Sequence, residues 1–63
     1  HKQKLLDYLL ELTGQLNTPQ PLPLARQLLI LIEGAITMSR VMGDYRAADE
    51  AREVAQLLLK QIP

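Results

Sequence analysis

Side chains suited to nucleophilic or acid–base chemistry are few in this chain of 63 residues. There is one serine, Ser39, one histidine, His1, and no cysteine. Nucleophilic catalysis needs a nucleophile, a base and a group that orients the base, all within reach of one another. A terminal histidine and a single serine in mid-chain do not form such a set. We therefore expect no catalytic residue and no enzyme activity.

Carboxylates are more numerous, and three of them lie close together in the sequence. Asp49, Glu50 and Glu53 all fall on the polar face of a predicted helix, so we interpret them as solvated. A zinc-type site needs several His or Cys ligands, and the chain has one histidine and no cysteine. We expect neither a metal ion nor a cofactor.

Glu33 is the most unusual charged residue, because it interrupts the most apolar part of the chain. It lies seven residues from both Arg26 and Arg40, a spacing that puts the three on one side of a helix. One interpretation is a surface ion pair, which contributes about 0–1 kcal/mol. The other is a polar contact across a helix interface, since Glu is rarely buried without a partner.

Apolar residues recur at spacings of three and four, which predicts an all-α fold. The predicted helices cover about residues 1–13, 23–42 and 44–61. We expect Gly14 to end the first helix in the left-handed conformation, and Gly43 to end the second. The prolines at 19, 21 and 23 should stiffen the first connector. Asp44 is suited to cap the third helix, because its carboxylate can accept a free backbone N–H of the first turn.

The second helix carries two apolar faces rather than one. The first consists of Leu24, Leu28, Leu31, Ala35, Met38 and Met42, and the second of Ala25, Leu29, Ile32 and Ile36. Two faces imply neighbours on two sides. Gly34 costs up to about 1 kcal/mol relative to alanine in a helix interior, which close approach of another helix would offset. The alanines of the third helix also favour close packing, so we predict an antiparallel hairpin of helices two and three.

Length and composition favour self-association. A chain of this size forms one domain at most, here residues 1–63, and buries only about 60% of its unfolded surface. Without disulfides or a metal, the remaining means of stabilisation are a partner or a larger parent protein. The chain lacks an initiating methionine, which favours a piece of a larger protein, such as a fragment left by proteolysis, over a complete small domain.

Charge and hydropathy argue against two classes of partner. The formal net charge is zero and no basic patch is evident, so we expect no direct nucleic-acid binding. The longest unbroken apolar run, Leu28 to Ile32, is short of the about 20 residues that a membrane span needs. The lack of cysteine fits a reducing compartment, and we expect a cytoplasmic location.

Uncovered apolar faces on helices two and three would form a patch of the kind that marks an interface. We therefore predict self-association or docking of a partner, with a homodimer as the expected form. Met38 and Met42 could instead line a small-molecule pocket, although methionine at such positions is commonly core. Glu33 is a possible polar contact in the predicted interface, whose apolar members are Leu24, Leu28, Leu31, Gly34, Ala35, Met38, Ala48, Ala51, Ala55, Leu58 and Ile62.

The order of small and aliphatic residues after Leu24 resembles the C-terminal end of the tetracycline-repressor (TetR) family of bacterial transcriptional regulators. The resemblance rests on residues 24–28 (LARQL) and 31–36 (LIEGAI), and on 41–44 (VMGD). It continues through Ala47-Ala48, Ala51-Arg52, Ala55 and Leu57-Leu58. The leucine-rich first helix and the proline-containing loop resemble the segment that precedes this pair in the family.

The resemblance implies a role in dimerisation. In that family the last two helices of each subunit pack against their counterparts in a four-helix bundle. Family members carry an N-terminal helix-turn-helix domain that binds operator DNA, and this domain is absent from the chain. The resemblance therefore implies operator DNA and a small-molecule effector as partners of the parent protein only.

An alternative interpretation is a tetratricopeptide-like hairpin that serves as a protein-interaction scaffold. Gly43-Asp44-Tyr45, Ala48 and Ala55 match the pattern of its second helix. However, Ile36 and Arg52 stand where that pattern prefers a glycine and an aromatic residue. There is also no second repeat, and solenoids generally need three or more repeats. A repeat scaffold should be monomeric, which distinguishes it from the dimer.

Overall fold

The computed structural model describes residues 1–62, which form three α-helices. Helix α1 is Lys2–Gly14, α2 is Pro21–Val41 and α3 is Ala47–Lys60. The predicted all-α class and the number of helices are confirmed for these residues, which include no strand. Pro63, the last residue of the predicted domain 1–63, lies outside the described residues.

Helix α2 begins at Pro21 rather than at the predicted residue 23, so Pro21 and Pro23 belong to the helix and not to the connector, and it ends at Val41, one residue before the predicted end. Pro21 occupies the first helical position, where its missing N–H costs nothing, and Pro23 lies in the first turn. Beyond Val41, Gly43 adopts a φ of 64°, a left-handed conformation that glycine reaches without Cβ strain. The Asp44 N–H then donates to the Met38 carbonyl at 3.1 Å, which closes the end of the helix.

Gly14 does not end α1 in the way predicted. It is the last helical residue, and within residues 1–62 only Gly43 has a positive φ. The next residue, Gln15, stays in the right-handed region and donates its N–H to the Leu12 carbonyl at 3.1 Å. This three-residue spacing satisfies a terminal carbonyl by tightening the last turn, so no left-handed residue is needed.

The start of α3 is also corrected, from residue 44 to Ala47. The Asp44 carboxylate accepts the backbone N–H of Arg46 at 3.0 Å, two residues along the chain. That bond is typical of an Asx turn, which holds residues 44–46 outside the helix. The cap position falls on Arg46, which makes no side-chain capping bond. Asp44 therefore orders the turn before α3 rather than capping the helix.

Helix α2 lies between the other two. It packs against both α1 and α3, whereas no Cα atom of α1 comes within 8 Å of one in α3. The Cα trace measures 36 × 26 × 13 Å, dimensions that fit three helices side by side rather than a triangular bundle. The prediction that α2 has neighbours on two sides is confirmed.

Few side chains are buried in this arrangement. The buried hydrophobic residues among 1–62 are Leu9, Leu24, Ala25 and Ala47. Thr13 is buried too, and its hydroxyl lies 2.9 Å from the Pro21 carbonyl oxygen and 3.2 Å from that of Leu10. The hydroxyl thereby ties the end of α1 to the start of α2.

Candidate interaction surfaces

The side-by-side packing leaves two apolar surfaces, one on each side of α2. The first, which we name the groove surface, is concave and bounded by both flanking helices. It is lined by Leu9 of α1, by Leu28, Leu31, Ile32, Ala35 and Ile36 of α2, and by Ala48, Ala51, Arg52 and Ala55 of α3. The second, the Gly34 surface, involves α2 and α3 only. It is lined by Ile30, Leu31, Gly34, Ala35, Met38, Ala47, Glu50, Ala51 and Val54.

The groove surface encloses about 370 Å³ and is almost entirely aliphatic. Its one charged lining residue is Arg52, whose guanidinium nitrogen lies 3.8 Å from Asp49 Oδ1. Both of these side chains are exposed, so their ion pair contributes little. The groove thus presents apolar contact area with a single positive charge on α3.

The Gly34 surface is shallower and carries three exposed apolar side chains. Ile30 is 68% exposed, Val54 43% and Met38 38%. Around Gly34 there is open space, because a Cβ built on it meets no heavy atom within 4 Å elsewhere in residues 1–62. Gly34 also lacks the positive φ that would require glycine. Its cost of about 1 kcal/mol relative to alanine is therefore not offset inside the chain.

The predicted interface residues follow the boundary between α2 and α3 rather than one surface. Gly34 and Met38 line the Gly34 surface, and Leu28, Ala48 and Ala55 line the groove. Residues shared by both surfaces are Leu31, Ala35 and Ala51. The remaining three, Leu24, Leu58 and Ile62, line a separate depression beside the connector residues Thr18, Pro19 and Gln20. The dimer interface as a whole stays a prediction.

Sequence reasoning missed several residues that line these surfaces. Ile30 belongs to the Gly34 surface, and Leu9 and Arg52 to the groove. Ile30 could have been found, because it lies one turn before Gly34 and so shares its side of the helix. The position of Leu9 could not, since it depends on how α1 packs against α2.

Glu33 makes a polar contact between helices of the same chain. Its carboxylate pairs with the Lys2 ammonium, which joins α1 to α2. Lys2 is 77% exposed and Glu33 is partly exposed, so we class the contact as a surface ion pair. The structure does not bring Glu33 together with Arg26 or Arg40 in a salt bridge.

Within residues 1–62, Asp44 is the titratable group whose environment changes its acidity most clearly. The N–H of Arg46 lowers the pKa of Asp44, because it donates to the charged form of the carboxyl. Partial desolvation opposes this effect, and the Arg46 side chain, with Nε 3.3 Å from Asp44 Oδ1, reinforces it. The lowered pKa is thus a consequence of the turn between α2 and α3.

The residues considered for chemistry remain apart. His1 lies at the exposed start of α1, and the Ser39 hydroxyl is 3.5 Å from the Asp44 carbonyl oxygen. The three clustered carboxylates Asp49, Glu50 and Glu53 are exposed on α3. Within residues 1–62, no group of three or more His, Cys, Asp or Glu side chains is arranged to hold a metal ion.

By length and composition, α2 is sufficient to cross a membrane, a test that core helices of soluble proteins also pass. In the described part of the chain it is the one helix that meets this test. Charges occur along it at Arg26, Glu33 and Arg40. Glu33 lies near its middle, and ionisable residues at the centre of a bilayer are costly.

Comparisons of this chain with family models, with curated proteins and with solved structures give no match. A functional interpretation therefore depends on the geometry described above and on the residue pattern.

Proposed function

We propose that this chain is a non-catalytic dimerisation segment of a TetR-type bacterial transcriptional regulator. In this proposal α2 and α3 form an antiparallel hairpin, and two copies of it pair in a four-helix bundle. The observation that carries the proposal is the large apolar surface that α2 and α3 leave uncovered. The resemblance of residues 24–58 to the end of TetR-family chains supplies the biological context.

The total surface area supports self-association quantitatively. A compact monomer of 7.1 kDa exposes about 4,100 Å², whereas this chain exposes 4987 Å². The excess is about 900 Å², close to the roughly 800 Å² that each partner buries in a protein interface of standard size. One further copy of the chain would account for it.

The dimensions lead to the same conclusion. The radius of gyration is 12.3 Å, compared with about 10.6 Å for a compact domain of 63 residues. A single layer of helices is extended because neither of its surfaces is covered. Packing a second layer against one surface produces the two-layered architecture around a common core that is typical of stable domains.

In the parent regulator, such a segment would set the distance between two DNA-reading heads. Half-site spacing follows the geometry of the dimer, so a rigid clamp determines which operators fit. An effector that binds elsewhere with different affinity for two dimer geometries would shift the population between them. The segment itself needs no charged surface for this role, in keeping with its zero net charge.

A fusion experiment tests the clamp function directly. The 63 residues are joined to a helix-turn-helix head that represses a reporter only as a dimer. We expect the fusion to restore repression, and Met38→Asp to abolish it by putting a charge on the Gly34 surface. Tyr45→Asp is the matched control, because Tyr45 is 88% exposed in the loop and should tolerate the change. A fusion that fails to repress although it is folded and expressed would contradict the proposal.

The groove surface favours a second candidate, the tetratricopeptide-like scaffold. A concave, aliphatic groove between two flanking helices is a geometry that can accept an amphipathic peptide helix. A scaffold of this kind would act as a monomer, so its fusion would leave the reporter unrepressed. The same experiment therefore separates the two functions.

A further inference from the structure

We propose that the second copy docks on the Gly34 surface, with the two-fold axis of the dimer passing at Gly34. Helix α2 of one copy would then cross α2 of the other at this residue. The inference rests on the proposed function, because it presumes a dimer, and it goes further by naming the surface and the crossing point. The interface so defined is the same patch on both copies, as two-fold symmetry requires.

Gly34 is the first observation that points to this surface. It lies in the interior of a helix of 21 residues, where glycine weakens the helix. Neither a left-handed φ nor contact with another part of residues 1–62 explains it. A glycine lets two helix backbones approach more closely than any other residue does, so the open space at Gly34 fits the backbone of a second α2.

The residues around Gly34 suit a symmetric contact. Ile30 lies four residues before Gly34 and Met38 four residues after it, and both line the same depression. With a two-fold axis at Gly34 and the two helices running in opposite directions, Ile30 of each copy meets Met38 of the other. Both side chains are exposed in the single chain, so this exchange of contacts would bury them.

The groove surface is less suited to symmetric docking of α2. Its floor is α2, and its walls are formed by residues of both α1 and α3. Two such grooves placed face to face would touch at their walls first and keep the two α2 helices apart. On the Gly34 surface only α3 flanks α2, which leaves α2 accessible from the other side.

The charges around Gly34 permit this docking. Glu50 is the one charged residue that lines the depression, and it is exposed on α3. Its carboxylate can stay in water at the rim, where charged residues of an interface are normally found. The excess surface of about 900 Å² belongs to the chain as a whole, and it is large enough to supply one partner's share of a standard interface.

Crosslinking with single cysteines tests the axis, since the chain has no cysteine of its own. In the Gly34→Cys variant, the two cysteines of a dimer face each other across the two-fold axis. A disulfide can form between them when their Cα atoms lie within about 7 Å. Ser39→Cys is the matched control, because it is exposed on the same helix but lies about 140° around it. Each variant is oxidised mildly and run on a non-reducing gel, and its mass is measured under reducing conditions.

We expect most of the Gly34→Cys protein to migrate as a linked dimer, and the Ser39→Cys protein to remain unlinked. Efficient linking of Ser39→Cys with none of Gly34→Cys would overturn the inference by locating the contact on the other side of α2. If neither variant links while the reduced protein has dimer mass, the axis at Gly34 is wrong but the proposed function survives. Monomer mass in both variants and in the unmodified chain would overturn both.

A bulky side chain at Gly34 gives an independent measurement. Gly34→Leu should leave the helical circular dichroism unchanged, because the Cβ atom of the new side chain meets no heavy atom within 4 Å elsewhere in residues 1–62 and leucine is the better helix former. It should weaken dimerisation by at least about tenfold in Kd, because overpacked interfaces are costly. An unchanged Kd would place the contact away from Gly34.

Discussion

Thr13 illustrates how one buried hydroxyl joins two helices. The side chain is 1% exposed, and its oxygen is within hydrogen-bond distance of the Pro21 carbonyl across the connector. Removing a buried hydrogen bond of this kind typically costs about 1 kcal/mol, and more when the remaining partner is left unsatisfied. The contact joins α1 to α2 between residues that are eight positions apart in the sequence.

We expect Thr13→Val to lower the free energy of unfolding by about 1–2 kcal/mol, because the shape is kept while the hydrogen bond is lost. Thr37→Val on the exposed side of α2 is the control, and a change within about 0.5 kcal/mol is expected there. Urea unfolding at a fixed protein concentration measures both. Equal effects of the two substitutions would mean that the hydroxyl contact is not stabilising.

Asp44 links stability to pH through its lowered pKa. A carboxyl whose pKa is lower in the folded state stabilises the protein above its unfolded pKa, here the ordinary value of 3.8. That contribution is lost as the pH falls through the folded-state pKa. We therefore expect Asp44→Asn to destabilise the chain at pH 7, where the carboxylate of the unmodified chain is ionised.

The difference in melting temperature between Asp44→Asn and the unmodified chain should shrink as the pH falls below 3.8. Glu53→Gln is a suitable control, because Glu53 is exposed and has no salt bridge among the described residues. A difference that stays constant from pH 7 to pH 2 would show that the turn does not depend on the charge of Asp44.

At the level of helices and connectors, Gly43, which follows α2, and Gly14, which ends α1, differ in backbone conformation. Gly43 has a φ of 64°, whereas Gly14 is helical, and neither has a neighbour that would clash with a Cβ atom. Replacing either glycine with alanine therefore affects stability through the backbone conformation and not through a steric clash. An L-residue in the left-handed region costs about 1–2 kcal/mol.

Gly43→Ala should consequently destabilise the fold by about 1 kcal/mol, because it strains the turn between α2 and α3. Gly14→Ala should be neutral or stabilising by up to about 1 kcal/mol, since alanine is the better helix former. Thermal unfolding of the two variants side by side checks the pair. Stabilisation by Gly43→Ala would contradict the left-handed turn.

The positions of the helices could be predicted from the sequence, whereas some of their boundaries could not. Leucine and alanine spacings predict three helices, and Gly43 gives a correct signal for the end of α2, whereas the helix starts at Pro21, two residues before the predicted residue 23. The predicted start of α3 is too early, because the bond from the Arg46 N–H to Asp44 competes with helix formation. Gly14 fails as a signal because α1 ends with a tightened turn instead.

Contacts between helices were the least predictable feature. Two apolar faces on α2 correctly indicate neighbours on two sides, yet they do not indicate that Lys2 of α1 pairs with Glu33. Helical periodicity gives the direction of a side chain around its own axis but not the element that it meets. The division into a groove surface and a Gly34 surface follows from the placement of α1 and α3, and so becomes visible only in three dimensions.

For the whole molecule, the central feature is a single layer of helices that exposes more surface than a compact monomer of its mass. Large apolar side chains on α2 and α3 remain accessible, Ile30, Val41 and Leu57 among them. Hydrophobic burial is the main favourable term in folding and association. A second copy is the simplest partner that would cover this surface, and the stability of the chain should then depend on its concentration.

Thermal unfolding at a series of protein concentrations checks that dependence. If the folded state is a dimer, mass action raises the melting temperature as the concentration increases. A Gly34→Leu variant that is monomeric should lose this dependence while the unmodified chain retains it. A melting temperature that is the same at every concentration in both proteins would contradict stabilisation by association.

The most direct test of the central claim is the solution mass of the unmodified 63-residue chain, measured by light scattering across a wide range of concentrations. We predict twice the monomer mass of 7.1 kDa at high concentration, falling toward that mass on dilution. A folded, helical protein that remains at 7.1 kDa throughout would contradict dimerisation and favour the monomeric scaffold.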